Sequence, residues 1–151
     1  MDIITFDGLN QTQQGLILAA EEVMQNAHSP FSKFLVGAAL LTSDHNIVSG
    51  CNVENAAFGT ICAERAAITR AVAMGCREFI AIGVISRGKD FDTTEVFGPC
   101  GACRQMIYEF SEISETNIEI IIATTKKEKV LVSTINELFP VAFGPKSLNL
   151  R

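Results

Sequence analysis

The stretch "FIAIGVIS" at residues 79–86 limits what this chain can fold into more than any other. Its apolar residues do not alternate with polar ones, so neither face of a strand built from it can meet water. Such a strand belongs inside a sheet with other elements packed on both sides. The flanking sequence supplies them. "TQQGLILAAEEVMQNA" places Leu16, Ile17, Ala20, Val23, Met24 and Ala27 at helical spacing, and Ser29 and Pro30 stop it. "CAERAAITRAVAMG" reads as a second helix, ended by Gly75. "CGACRQMIYEFSE" reads as a third, entered through Gly98-Pro99 with proline in its first turn. "FLVGAALLT" and "NIVSGCNV" read as strands paired through the polar turn 43–46. "IEIIIAT" and "KVLVS" add two more strands, and "TINELF" a short late helix. The order α-β-β-α-β-α-β-β-α predicts an α/β fold. It is a three-layer α/β/α sandwich around a mixed five-stranded sheet, one domain over residues 1–151.

Charge and composition narrow the function. A net charge of -5 over 151 residues opposes a surface that tracks phosphates, which needs an excess of Lys and Arg. No apolar run approaches the ~20 residues of a membrane span. The start, "MDIITFDGLN", lacks a basic region followed by an apolar one, so no signal peptide is expected. These features predict a cytoplasmic protein with no nucleic-acid or membrane partner and with reduced cysteines. Five cysteines, an odd number, also argue against a pure disulfide framework.

The chemistry-bearing residues are "CAER" and "PCGACRQ". Cys100 and Cys103 are three apart at the start of a helix, where such positions share one face. Cys62 begins the helix before it. Thiols at helix starts feel the positive end of the helix dipole, which favours the thiolate. Helices that follow strands in one layer can bring two such starts to one sheet edge. Three sulfurs could then hold one metal ion with a fourth position open, as catalytic rather than structural zinc sites do. Glu64 could reach a water at that position and move its protons. Three thiolates on a divalent zinc leave a net charge of -1. Arg65 and Arg104, by donating to the sulfurs, would offset it. The bland alternatives are a thioredoxin-like redox pair for Cys100 and Cys103, core filler for Cys62, and a capping-box partner for Glu64. A redox pair usually follows the first strand of its βαβ unit, and this one comes late. Counted from Thr60 as the cap, the box position falls on Ala63 rather than Glu64. Cys51 and Cys76 carry no motif, and His28 and His45 sit at a helix end and in a turn.

With "GCNVENAAF", "SPFSKFLVGAALLT" and "ELFPVAFGPKSL", these motifs span most of the chain. Together they resemble the zinc-dependent cytidine deaminases of the small, homotetrameric kind. The pattern of a first ligand, a glutamate and then P-C-x-x-C is the zinc deaminase signature. The resemblance implies one zinc per chain held by Cys62, Cys100 and Cys103, with Glu64 as the proton shuttle. It implies that the Ala63 backbone and Phe34 hold the base, and that Asn52 and Glu54 bind the ribose hydroxyls. Phe143 would reach into a neighbouring subunit's site. The implied reaction is hydrolysis of cytidine and deoxycytidine to uridine and deoxyuridine, a step of pyrimidine salvage. From spacing alone, Phe34 and Phe143 would read as core, and Asn52 and Glu54 as a strand-end turn. One departure stands out: the loop between "VEN" and "CAE" is a residue shorter than usual, and Phe58 stands where tyrosine is common. Its expected effect is a modest weakening of nucleoside binding, not a change of chemistry. The rival readings are deamination of another aminopyrimidine nucleoside, such as blasticidin S, or a non-enzymatic zinc or redox module.

Overall fold

The computed structural model describes residues 1–149. In chain order it contains β1 (Asp2–Ile4), α1 (Gln11–Met24), β2 (Phe34–Thr42), β3 (Ile47–Cys51), β4 (Val53–Glu54) and β5 (Thr60–Ile61). Then come α2 (Ala63–Ala73), β6 (Phe79–Gly88), α3 (Gly101–Ile113), β7 (Glu119–Ala123), β8 (Val130–Thr134) and α4 (Ile135–Leu138). A six-stranded sheet has the order β1-β8-β7-β6-β2-β3, and β4 pairs with β5 in a small separate ribbon. β6 and β7 run parallel and the other pairs in the main sheet antiparallel. The mixed sheet is as expected, but it has six strands rather than five. The additional strand is β1, which pairs Asp2, Ile3 and Ile4 with Val132, Leu131 and Val130. Three residues at a sheet edge are too short to show a period-two pattern.

The run at 79–86 is buried on both faces, as its composition demands. Ile82 and Val84 of β6 join Ile120 and Ile122 of β7 and Ala38 and Leu40 of β2 on one side, under Ala67 and Ile68 of α2 and Ile107 of α3. Ala81 and Ile85 point the other way with Ile121, Ala39 and Leu41, under Leu16, Ile17, Ala20 and Met24 of α1. This alternation makes two cores from one sheet. It puts α1 alone on one face and α2, α3 and α4 on the other.

The helices approach closely because glycines let them. A Cβ added at Gly37 of β2 would overlap the Ala20 carbonyl of α1, and one at Gly50 of β3 would overlap the backbone at Ala67 of α2. α1 begins at Asn10, whose Oδ1 accepts from the Gln13 N–H at 2.9 Å while Gln13 Oε1 accepts from the Asn10 N–H at 3.0 Å. Such reciprocal caps are worth about 1 kcal/mol. α2 ends where expected, with Gly75 at a φ of 92° just past its last turn.

Strand direction places the site. β3 and β6 are both antiparallel to β2, so they run the same way and end at the same sheet edge. α2 follows the first after the short antiparallel β4–β5 ribbon, and α3 follows the second, and the two helix starts meet beyond that edge. Among the described residues no helix is long and apolar enough to cross a membrane.

Two substitutions test the packing. Gly50→Ala should lower unfolding free energy by about 1–3 kcal/mol, the usual cost of overpacking. Gly15, within α1, has nothing within 4 Å of an added Cβ, so Gly15→Ala should raise it by about 0.5–1 kcal/mol. Urea unfolding curves check both, and a stabilised Gly50→Ala would contradict the close approach of α2.

Candidate active site

The two helix starts meet as cysteines. Cys62 is the N-cap of α2 and Cys100 the N-cap of α3, both with extended backbone (φ -68°, ψ 153° and φ -63°, ψ 165°). Each therefore stands one position before its helix rather than in its first turn, and Pro99 lies just outside α3. Neither caps its helix through its side chain; both sulfurs turn towards each other instead. Cys62 Sγ lies 3.8 Å from Cys100 Sγ, and Cys100 Sγ lies 3.5 Å from Cys103 Sγ. All three sulfurs fall within 4.8 Å of one another. Thiolates around one tetrahedral zinc, at ~2.3 Å from the metal, stand about 3.8 Å apart. The cluster therefore fits a zinc ion. The donor chemistry agrees: burial, then the charge of Glu64 and the neighbouring sulfurs, pushes the Cys103 thiol far up. A divalent cation reverses that penalty. Burial also opposes ionisation of Cys100, but N–H groups of Cys103 and Ala102 and the two neighbouring thiols bring it below the ordinary value.

Glu64 occupies the second helical position of α2, behind a cap at Cys62 rather than Thr60. The capping-box position is then Arg65, so Glu64 still has no capping duty. It is 5% exposed, unusual for a carboxylate. Burial raises its pKa, against the pull of its own backbone N–H, Cys103 and the Arg65 charge. Such a shift moves a carboxyl towards the range in which it can both take and give a proton near neutral pH. Arg65 donates through Nη2 to the Thr60 carbonyl at 2.8 Å and to Cys62 Sγ at 3.7 Å. The sulfur holds the guanidinium pKa up.

A cavity of about 290 Å³ opens beside the sulfurs. Cys62, Cys100, Ala63 and Glu64 line it, as do Phe34, Asn52 and Glu54. Polar groups of the latter two are partly engaged. Asn52 Oδ1 accepts from the Val36 N–H at 2.8 Å and its Nδ2 donates to the Phe34 carbonyl at 2.9 Å. Glu54 Oε2 accepts from the N–H groups of Phe31 and Ser32 at 2.9 and 3.1 Å. Hydrogen bonding, first from the Ser32 side chain, holds the Glu54 carboxyl below its usual range despite burial.

Comparison with known proteins agrees with this geometry. Residues 10–120 match the family model described as the cytidine and deoxycytidylate deaminase zinc-binding region. The chain belongs to that family. It is 41% identical to a cytidine deaminase of Sporosarcina psychrophila over 135 residues, covering 89% of this chain and 93% of that protein. A cytidine deaminase of Halalkalibacterium halodurans is 36% identical over 138 residues, or 91% and 98% of the two chains. The crystal structure of cytidine deaminase from Burkholderia pseudomallei superposes with a TM-score of 0.76 at 38% identity, covering 89% of this chain and all of that one. Zinc is thus the cofactor that the deaminase family and the three-sulfur cluster both indicate.

Not every residue expected at the site is there. Arg104 turns from the sulfurs: its Nε donates to the Pro99 carbonyl at 2.7 Å and its Nη1 to the Leu138 carbonyl at 2.9 Å. It ties the segment before α3 to the end of α4. Phe58 is 92% exposed with a φ of 59°. Its ring sits 6.3 Å from that of Phe31 and does not line the cavity, so loss of a tyrosine hydroxyl there removes nothing from the cavity wall of this chain. Phe143, expected at a neighbouring subunit's site and not at this one, is exposed, and its carbonyl accepts from Gln105 Nε2 at 2.9 Å. Sequence reasoning missed Phe97, Ser86 and Val84, which line the cavity. Phe97, close before "PCGAC", was the one with a local signal.

Removing Arg104 tests its reassignment. Hydrogen bonds from a charged donor contribute about 1.5–3 kcal/mol, so Arg104→Ala should lower stability by roughly that much in a denaturant titration. Unchanged stability would contradict the tie that Arg104 makes between the segment before α3 and the end of α4.

Proposed function

We propose that this protein hydrolyses cytidine and deoxycytidine to uridine and deoxyuridine, releasing ammonia. One observation carries the reading: a buried carboxyl, Glu64, shares one small cavity with two sulfurs of a three-sulfur cluster. The reaction adds water at C4 of the base and expels the 4-amino group. Cys62, Cys100 and Cys103 hold the zinc, and Arg65 offsets their excess negative charge. Bound zinc supplies the Lewis acidity that brings deprotonation of a water within reach near neutral pH. Glu64 takes one proton from the attacking water and places it on ring N3, then takes the second from the hydroxyl now on C4 and gives it to the departing amine as the C4–N bond breaks and the C4 carbonyl forms. Phe34 packs against the base, the Ala63 backbone at the start of α2 holds its polar edge, and Asn52 and Glu54 engage the ribose hydroxyls. Glu54 suits this because its carboxylate stays ionised and is held rigidly by two N–H groups. Residues 1–151 act as one domain; the pairing of β1 with β8 supports it. The cytoplasm is the compartment of choice, since the five cysteines are free and the site needs thiols kept reduced.

Exposed apolar residues near the C-terminus support an assembly. Phe143 is 60% and Val141 fully exposed, an apolar surface that a partner would bury. We assign a homotetramer in which Phe143 enters a neighbouring subunit's cavity. Light scattering should give about four chains per particle, and an active monomer would contradict the shared site.

Glu64→Ala should retain about one zinc per chain and the fold while losing at least ~10²-fold in rate. Cys100→Ala should lose the zinc. The loss of cytidine absorbance, read beside metal analysis, checks both. Normal turnover by Glu64→Ala would remove Glu64 from the mechanism, and blasticidin S as a clearly better substrate than cytidine would overturn the nucleoside assignment.

A further inference from the structure

The segment 89–98 between β6 and α3 forms part of the cavity without belonging to any regular element. It delivers two aromatic rings. Phe91 folds back over Gly88, where an added Cβ would overlap its ring. Gly88 pairs across the sheet with Phe34, and the Phe91 ring stands 6.3 Å from the Phe34 ring. Phe97 forms cavity wall near Cys100. A loop with so much exposed apolar surface, 60% at Phe91 and 57% at Phe97, is not held in place by burial of its rings.

Hydrogen bonds hold it instead. Thr93 is buried, and its N–H donates to Thr125 Oγ1 at 2.8 Å. The Thr125 N–H donates to Thr93 Oγ1 at 3.0 Å. Both hydroxyls then donate to the carbonyl of Ser86, Thr93 Oγ1 at 3.0 Å and Thr125 Oγ1 at 2.9 Å. Each hydroxyl accepts once and donates once, so the two side chains and two N–H groups leave no donor unused. Ser86 itself lines the cavity. Around this pair, Asp92 faces Arg87 at 3.8 Å and Lys126 at 3.5 Å, and Glu95 pairs with Lys129. The ion pairs are exposed and of little weight; of the threonine pair, Thr93 is buried and Thr125 half-buried.

We propose that Thr93 and Thr125 are positioning residues for the deamination: their reciprocal hydroxyl pair fixes segment 89–98, so that Phe91 backs Phe34 and Phe97 walls the cavity before substrate arrives. The inference rests on the nucleoside reading of the cavity. A wall fixed in advance spares the substrate the ordering of a loop on binding. The role therefore falls on KM and not on the chemical step.

The test is Thr125→Val, which keeps the shape and removes the hydroxyl, beside Thr125→Ser, which restores it. In Thr125→Val the KM for cytidine should rise roughly 3- to 10-fold, the scale of one lost hydrogen bond. kcat and zinc content should change little. Amide hydrogen exchange across residues 93–97 should quicken, and Thr125→Ser should return both KM and exchange towards the unsubstituted values. Unchanged exchange, an unchanged KM, or a parallel loss of kcat and zinc would each overturn the proposal. If Thr125→Val does not fold, Phe97→Ala at its exposed position takes its place. That variant should raise KM alone, and an unaltered KM overturns the proposal. Absence of cytidine turnover by the unsubstituted protein would sink the functional reading and this role with it. An active enzyme with an inert KM sinks the positioning role only.

Discussion

The shared direction of β3 and β6 is the constraint on which the site depends. Both are antiparallel to β2, so the chain leaves both at one edge of the sheet, and the β4–β5 ribbon turns it back so that α2 starts beside α3. Cysteines 38 residues apart in sequence are then 3.8 Å apart in space. Close packing makes the placement firm. α2 lies against Gly50 at backbone distance, and the parallel pair β6 and β7 beneath α3 is buried on both faces. A helix that could shift by an ångström would not keep three sulfurs around one ion.

That firmness has an electrostatic cost. Without a cation, three thiols and a buried carboxyl crowd together beside a small cavity. Burial works against the charged forms of Cys103, Cys100 and Glu64 alike. A divalent ion converts the same crowding into affinity. Arg65, at the third position of α2, is where the helix dipole mildly disfavours a cation, and its contact with Cys62 Sγ accounts for it. Other lining residues are held differently. Asn52 and Glu54 are fixed by backbone groups in and just before β2, a rigid surface on which a polar ligand can be oriented.

Much of this was legible in the sequence, for identifiable reasons. Residues 79–86 announced a strand buried on both faces, and long periodic runs marked α1, α2 and α3. Cys62, Cys100 and Cys103 declared themselves because thiols at two helix starts are hard to explain by packing. Glu64 did so because it missed the capping-box register, a conclusion that survives the move of the cap from Thr60 to Cys62. What was not legible depended on distant partners or on single residues. β1 is too short to show a period. Arg104 sits beside Cys103 in sequence, yet it donates to Leu138, 34 residues on. Phe58 takes a left-handed backbone that a β-propensity argument gives no reason to expect. The Thr93 and Thr125 pair joins a loop to the turn between β7 and β8 across 32 residues, with no spacing rule to reveal it.

X-ray absorption at the zinc edge of the purified protein shows whether the two helix starts build a three-sulfur zinc site left open for chemistry. Such a site gives three sulfur neighbours per zinc at about 2.3 Å. Four sulfurs would mean a closed structural site, and fewer than three would mean that Cys62, Cys100 and Cys103 do not act together.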